Sequence, residues 1–255
     1  MDIDPASPAS HRNLHQLLAS AQENKKATIQ RLPLWYTLLD VLNKYFAECR
    51  DFGTIPPGKT IAFELIQQAY SYWFSGLELV LSGLLTPAYA EMRALLESSL
   101  YAFYCRSDVD RQMAWTERDR SEDDRTKSRS EFGSMKKMME ELCDSHVFPT
   151  NYVDLRSLYD HLIDMGAHPN VAGALQNMTT DGRELYTKLF NCGGGDMRAA
   201  LIMQADVGYL ATVVSRFLLE LPALPAEFPR WILSLQQLPL PNEDAAVTLD
   251  DSESG

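Results

Sequence analysis

Cysteine is scarce in this sequence of 255 residues, and its four occurrences lie far apart. None of Cys49, Cys105, Cys143 and Cys192 forms a CxxC pair, so the thiol spacing of a zinc site is missing. Scattered cysteines in a chain of this size are typical of reduced, mostly packed thiols in a cytoplasm. Gly-x-Ser-x-Gly, His-Glu-x-x-His and EF-hand motifs are also missing, which leaves serine-hydrolase, zincin and EF-hand functions without support.

Long apolar runs are missing as well. The most hydrophobic stretch, Ile61 to Leu85, is interrupted by polar residues, so we expect no segment to approach the length of a membrane span. The start of the chain, Met1 to Pro5, lacks the basic and apolar parts of a secretory signal. It also lacks the Gly at position 2 that myristoylation needs. These observations predict a cytoplasmic protein without a membrane partner.

Basic residues are in the minority, because 23 Lys and Arg face 35 Asp and Glu, for a net charge of −12. This balance opposes diffuse binding to phosphate backbones, although it permits a local basic pocket. The Pro/Ser/Ala-rich start and the acidic end predict disorder over residues 1–11 and 239–255. Between them, a composition that is 45% hydrophobic predicts one domain over residues 12–238.

Strand patterns are rare, whereas apolar residues recur at helical spacing almost everywhere, as in Ile61, Leu65, Ala69 and Trp73. Helices are also predicted over about 34–50, from Pro87, over 135–142, over 152–165 and over about 196–221. The sequence therefore predicts an all-α fold, a single helical bundle of about six to eight helices. One small hairpin near 178–190 is the exception that the Thr180-Asp181-Gly182 turn favours.

The segment from Asp108 to Glu131 differs from the rest, because it holds eight acidic and six basic residues. Trp115 and the following Phe132 are its main large apolar groups. Such a composition is typical of a solvated helix or of a mobile connection between bundle helices. A charged arm that contacts a partner is the functional alternative.

Arg93 and Glu97 form the first candidate site, since they lie one helical turn apart in a mostly apolar helix. Side chains four residues apart share a face of a helix, and Tyr101 and Tyr104 continue this side. Such a pair either orients a ligand or a catalytic water, or it is a structural ion pair between packed helices.

The stretch from Arg156 to Asn170 is the second candidate, because it combines two of the five histidines with two aspartates. On a continuous helix His161, Asp164 and His168 would share one side and could bind zinc or iron. We expect no metal or other cofactor, however, because Gly166 and Pro169 are predicted to end the helix before His168.

The motif Arg156-x4-His161 resembles the one that marks the HEPN families (higher eukaryotes and prokaryotes nucleotide-binding), which are all-α and include metal-independent ribonucleases. The resemblance implies that His161 acts as general acid or base on RNA while Arg156 holds the scissile phosphate. It also implies that two protomers bring their motifs together. Imidazole and guanidinium suit these roles at neutral pH. The residue after the Arg is Ser157, where many members of the families have Asn.

A second resemblance covers roughly residues 60–220. The segments Ala90–Ser98, with R-x-L-x-E-like spacing, and Leu158–Asn170, a Tyr-containing helix that ends in His-Pro, are similar to those of an uncharacterised group of bacterial helical proteins. This resemblance implies that Arg93, Glu97 and His168 belong to one pocket, and that the His161 motif is incidental.

The sequence thus leads to one main hypothesis and one alternative. The main hypothesis is a soluble bacterial helical protein that works by binding, as a homodimer, around the Arg93, Glu97 and His168 pocket. The alternative is a HEPN-like ribonuclease of the toxin or phage-defence type, with Arg156 and His161 as catalytic residues and RNA as its partner. A metal site on His161, Asp164 and His168 is a third and weaker hypothesis.

Overall fold

Ten α-helices account for most of the residues described by the computed structural model, which are 13–53, 55, 57–148, 150–167, 178–180, 185–187, 189–192 and 194–237. In chain order they are α1 (Leu14–Arg31), α2 (Pro33–Arg50), α3 (Thr60–Leu81), α4 (Leu85–Tyr104), α5 (Val109–Thr116), α6 (Glu122–Phe132), α7 (Met135–Asp144), α8 (Tyr152–Leu162), α9 (Gly194–Leu218) and α10 (Phe228–Gln236). A π-helical turn, Ile163–Ala167, extends α8. The predicted all-α class is confirmed.

The number of helices exceeds the six to eight expected, because α1, α5, α6 and α10 add to those predicted. Each of the four gives a weak signal in the sequence. Within α1 only Thr28 is buried, α5 and α6 arise from the charged segment, and α10 is nine residues long. None of them carries a long, regular apolar stripe, which is the feature that makes a helix predictable.

Polar side chains begin four of the helices by accepting a hydrogen bond from a backbone N–H of the first turn. They are Asn13 ahead of α1, Asp108 ahead of α5, Ser121 ahead of α6 and Asn151 ahead of α8. A first-turn N–H has no partner inside its own helix, so each cap supplies one. Two of these caps lie in the charged segment, where they help short and polar sequences to form helices.

The core of the bundle is centred on α4, of whose 20 residues twelve are buried. Helices α3, α7, α8 and α9 and the π turn pack around it. Trp73 on α3 is fully buried, and its indole occupies the space beside Gly208 on α9, where a Cβ atom would overlap the ring. Small residues at such contacts let two helices approach closely around one large side chain.

The charged segment is folded onto the bundle rather than forming a mobile connection. Arg106 and Arg111 both bind Glu141 on α7, at 2.6 and 2.9 Å. The Arg111 guanidinium lies 3.7 Å from the centre of the Tyr104 ring, and Lys137 binds Glu131 at 2.9 Å. Ion pairs that share partners in this way hold α5 and α6 against α7 and the end of α4.

Helix α9 departs from the expectation that no segment approaches the length of a membrane span. Within it, Gly195–Leu218 is long and apolar enough to cross a membrane by length and composition, with a mean hydropathy of 1.2 over its most apolar window. That window is 67% buried inside the fold. Burial on this scale is what a central helix of a bundle needs, so the length and composition of α9 are weak evidence for a membrane.

The predicted hairpin is present, as β1 (Met178–Thr180) and β2 (Leu185–Thr187). The strands are antiparallel, with Met178 opposite Thr187 and Thr180 opposite Leu185. The segments predicted to be disordered, residues 1–11 and 239–255, lie outside the described residues.

Candidate functional site

Arg93 and Glu97 form the ion pair that their spacing predicts, with 2.7 Å between Arg93 Nε and Glu97 Oε1. Their side chains are 26% and 25% exposed, so water reaches a pair that is otherwise set into the bundle. The base precedes the acid along the helix, which is the less favourable order for an i, i+4 pair. The pair therefore contributes little to the stability of α4 itself, so its role depends on its contacts with other elements.

Tyr159 on α8 is that partner. Its hydroxyl donates a hydrogen bond of 2.9 Å to Glu97 Oε1, and Arg93 Nη2 lies 3.4 Å from the same hydroxyl. The Arg93 guanidinium carbon is 5.5 Å from the centre of the Tyr159 ring. Tyr159 is 7% exposed. The three residues are named here the α4–α8 anchor, because they join these two helices through polar groups.

A glycine determines how closely α8 approaches α4. At Gly166, in the π turn that extends α8, a Cβ atom would collide with the backbone oxygen of Thr86 and would lie 2.6 Å from Tyr89 Cβ. Only a residue without a side chain fits this contact. The approach places the preceding turns of α8, with Tyr159, beside Arg93 and Glu97.

Burial and charge both act on the protons of the α4–α8 anchor. Burial raises the pKa of Tyr159, and the nearby Glu97 carboxylate raises it further. Tyr159 therefore stays protonated and able to donate. Burial opposes the charge on Arg93, but the hydrogen bond and charge of Glu97 outweigh it, so the pKa of Arg93 lies above its ordinary value. Both effects keep the network in its ion-paired form at neutral pH.

Arg156 also lies close to Tyr159 of the α4–α8 anchor. Its guanidinium carbon lies 5.8 Å from the centre of the Tyr159 ring. It forms a bidentate ion pair with Asp160, with Nε–Oδ2 and Nη2–Oδ1 distances of 2.8 and 2.7 Å. The Arg156 and Asp160 side chains are 43% and 46% exposed. Two guanidinium groups, from Arg93 and Arg156, thus lie within 6 Å of the centre of one tyrosine ring.

His161 points elsewhere. It is exposed, and its ring lies edge-on to Tyr89 with 5.9 Å between ring centres. Five residues along a helix correspond to a rotation of about 140°, so Arg156 and His161 lie on different sides of α8. A single chain therefore does not bring the two residues of the proposed ribonuclease motif together. The motif stays a prediction that requires a second protomer.

His168 lies outside the described residues, so of the predicted pocket only Arg93 and Glu97 are placed. The same holds for the metal hypothesis, of which His161 and Asp164 are described. Within the part of the chain that the structure describes, no group of three or more His, Cys, Asp or Glu residues is arranged to hold a metal ion.

Tyr159 is the member of the site that the sequence analysis did not assign. It stands 62 residues after Glu97, and only packing of α8 on α4 makes them neighbours. The tyrosine in the Leu158–Asn170 segment was its only signal in the sequence.

No family model, curated protein or solved structure matches the chain, so the site is described from its own geometry.

Proposed function

We propose that this protein functions by binding, with the α4–α8 anchor as the polar centre of its site. The observation that carries the proposal is a half-buried Arg–Glu–Tyr network that keeps about a quarter of its charged side chains open to water. Networks of this kind are more often found where a ligand must be oriented than on a purely solvated face.

The α4–α8 anchor keeps hydrogen-bond donors of Arg93 that the network does not use. Arg93 uses Nε for Glu97 and Nη2 for Tyr159, whereas its Nη1 has no hydrogen-bond partner among the described residues. A guanidinium group offers five N–H donors in one plane, and it favours carboxylate, phosphate or carbonyl oxygens. The ligand class that suits the site is therefore a small molecule with such an acceptor group.

Equilibrium dialysis against a defined mixture of carboxylates and phosphates, followed by mass spectrometry of the retained compounds, tests the proposal. Wild-type protein should retain at least one compound that Arg93→Gln does not retain. Lys44→Gln is the matched control, because Lys44 pairs with Asp40 at 2.7 Å and i, i+4 spacing on an exposed helix surface. Retention of nothing by wild type, or of the same compounds by Arg93→Gln, would refute it.

We extend the proposal to a cytoplasmic homodimer, in keeping with the scattered cysteines and with the predicted pocket. Light scattering coupled to size-exclusion chromatography measures the mass directly, and a monomer at micromolar concentration would reject this part.

HEPN-like ribonuclease activity is the second candidate. In its favour, His161 is exposed on a helix and Arg156 keeps 43% of its side chain accessible, so both could meet a second protomer and RNA. Against it, the Arg156 guanidinium is already forked by Asp160, and a phosphate would have to replace that carboxylate. Binding is therefore the function that the geometry favours.

A further inference from the structure

Three aromatic rings from three helices form a cluster beside the α4–α8 anchor, since Tyr101 lies one helical turn after Glu97. Tyr101 on α4 lies 4.8 Å from Trp115 on α5 and 5.7 Å from Phe132 on α6, measured between ring centres. Trp115 and Phe132 are 5.3 Å apart, so every pair is in contact. The cluster lines a cavity of about 380 Å³, which is large enough for a ligand of one or two rings. We name this cavity the aromatic–arginine pocket.

Arginines line the mouth of the same pocket. Arg118, Arg125 and Arg129 all contribute to its wall, together with one acidic residue, Asp119. The excess of positive charge is notable in a chain whose net charge is −12. It meets the condition that the acidic composition left open, namely a local basic pocket.

The ion pairs of these arginines are exposed to solvent. Arg118 lies 3.3 Å from Asp119, Arg125 lies 3.1 Å from Glu122, and Arg129 lies 3.9 Å from Glu122. The three arginine side chains are between 45% and 71% exposed. Exposed pairs of this kind contribute little to stability, so an anionic ligand can exchange with the carboxylates.

A serine hydroxyl also lines the pocket. Ser128 on α6 is 7% exposed, and within the described part of the chain its side chain makes no hydrogen bond. Its oxygen is not among the fully buried polar atoms, so water or a ligand in the pocket can reach it. It can donate to an anion or accept from a ring N–H.

We propose that the aromatic–arginine pocket binds a planar aromatic ring that carries a phosphate or a carboxylate. The ring lies against Trp115 and Tyr101, where it takes the place of the Arg118 guanidinium, whose carbon lies 4.7 Å from the centre of the Trp115 ring. The anionic group meets Arg125 and Arg129, whose guanidinium forks match its oxygens, and Ser128 adds a hydrogen bond. This pocket adjoins the α4–α8 anchor at Tyr101, but Arg93, Glu97 and Tyr159 do not line it, so the inference does not depend on the function proposed above.

Trp115 provides a direct readout. The chain has four tryptophans, so protein labelled with ¹⁵N at the indole shows four resonances, and Trp115→Phe identifies the one that belongs to the pocket. The labelled protein is titrated with 1-naphthyl phosphate, 1-naphthoate, 1-naphthol and inorganic phosphate. We expect at least one aromatic anion to move the Trp115 resonance saturably, with the neutral naphthol and the inorganic phosphate at least about tenfold weaker.

Substitution of the arginines then tests their role. The double variant Arg125→Gln/Arg129→Gln should weaken the aromatic anion about tenfold or more. Arg120→Gln is the matched control, since Arg120 lies in the same charged segment, is 73% exposed and pairs with Glu117 outside the pocket wall. It should bind as the wild type does. Thermal unfolding of each variant shows whether it is folded.

Four results would overturn the proposal. These are no saturable movement of the Trp115 resonance by either aromatic anion, binding of 1-naphthol as tight as that of the anions, binding of inorganic phosphate as tight, and equal weakening by Arg120→Gln. The Trp115 titration follows ligand binding at this pocket, whereas the dialysis of wild type against Arg93→Gln follows retention at the α4–α8 anchor. Failure at this pocket and failure of the proposed binding function are therefore distinguishable.

Discussion

Tyr159 on α8 donates a hydrogen bond of 2.9 Å to the Glu97 carboxylate on α4, and this bond joins two helices that are far apart in the chain. Glu97 also holds Arg93, so one carboxylate serves both an ion pair and a contact between helices. Loss of the tyrosine hydroxyl would leave the carboxylate with one partner fewer in a partly buried setting. Removal of this hydroxyl therefore measures how much the hydrogen bond of the α4–α8 anchor stabilises the fold.

Tyr159→Phe should reduce the free energy of unfolding by about 1.5 kcal/mol, because the substitution removes a hydrogen bond to a charged group. Urea unfolding monitored by circular dichroism measures the change. Tyr36→Phe is the control, since Tyr36 is 40% exposed and its hydroxyl makes no hydrogen bond in the described part of the chain. Equal stability of Tyr159→Phe and wild type would show that the bond contributes nothing net.

Gly166→Ala should destabilise the protein by about 2 kcal/mol, because the added Cβ would collide with the α4 backbone at Thr86 and Tyr89. Gly195→Ala is the matched control. A Cβ at Gly195, in the first turn of α9, would meet nothing within 4 Å, so that variant should be as stable as wild type or slightly more stable. The two variants are compared by thermal and urea unfolding, and similar curves for both would contradict the packing of the π turn on α4.

Local sequence patterns were enough to predict much of the bundle and two of the three residues of the α4–α8 anchor. The i, i+4 spacing of Arg93 and Glu97 predicts an ion pair, and the structure confirms it at 2.7 Å. The spacing cannot predict Tyr159, because its contact depends on the packing of α8 on α4. The position of Ser128 at the pocket could not be predicted for the same reason, because nothing in the local sequence distinguishes a serine that lines a cavity from one that faces water.

The charged segment shows a different case, because composition allowed a solvated helix as well as a mobile connection, and the structure has the mostly exposed helices α5 and α6 there. Its abundance of charge allowed a mobile connection, yet Arg111 and Glu141 tie it to α7 at 2.9 Å. Whether charges are solvated or paired depends on partners that are distant in the sequence, and composition does not record them.

His161→Ala should leave RNA degradation at the level of wild type if the protein acts by binding alone. The assay compares the two purified proteins on single-stranded RNA with EDTA present in both, since the ribonuclease alternative needs no metal. Cleavage by wild type that disappears in His161→Ala would establish the HEPN-like mechanism instead. Cleavage by both to the same extent would indicate a contaminating nuclease.

Asp206 on α9 makes the stability of the protein depend on pH in an unusual direction. Burial raises the pKa of this carboxyl from 3.8 to about 6, and the described residues supply no ion pair or hydrogen bond to offset it. The folded state therefore holds the proton more tightly than the unfolded state does. Linkage then requires that this contribution to stability is fully present below the unfolded pKa and is lost as pH rises through the folded pKa of about 6.

Asp206→Asn should therefore be more stable than wild type above pH 6 and should lose that advantage as the pH falls toward 4. The expected gap at high pH is about 2 kcal/mol, less than the full shift implies because the side chain is only partly buried. Urea unfolding across this range measures it, and the gap between variant and wild type isolates Asp206 from the other carboxylates. If the Asp206→Asn gap does not vary with pH, Asp206 is not buried in its charged form, and the packing around the middle of α9 must be looser than the structure shows.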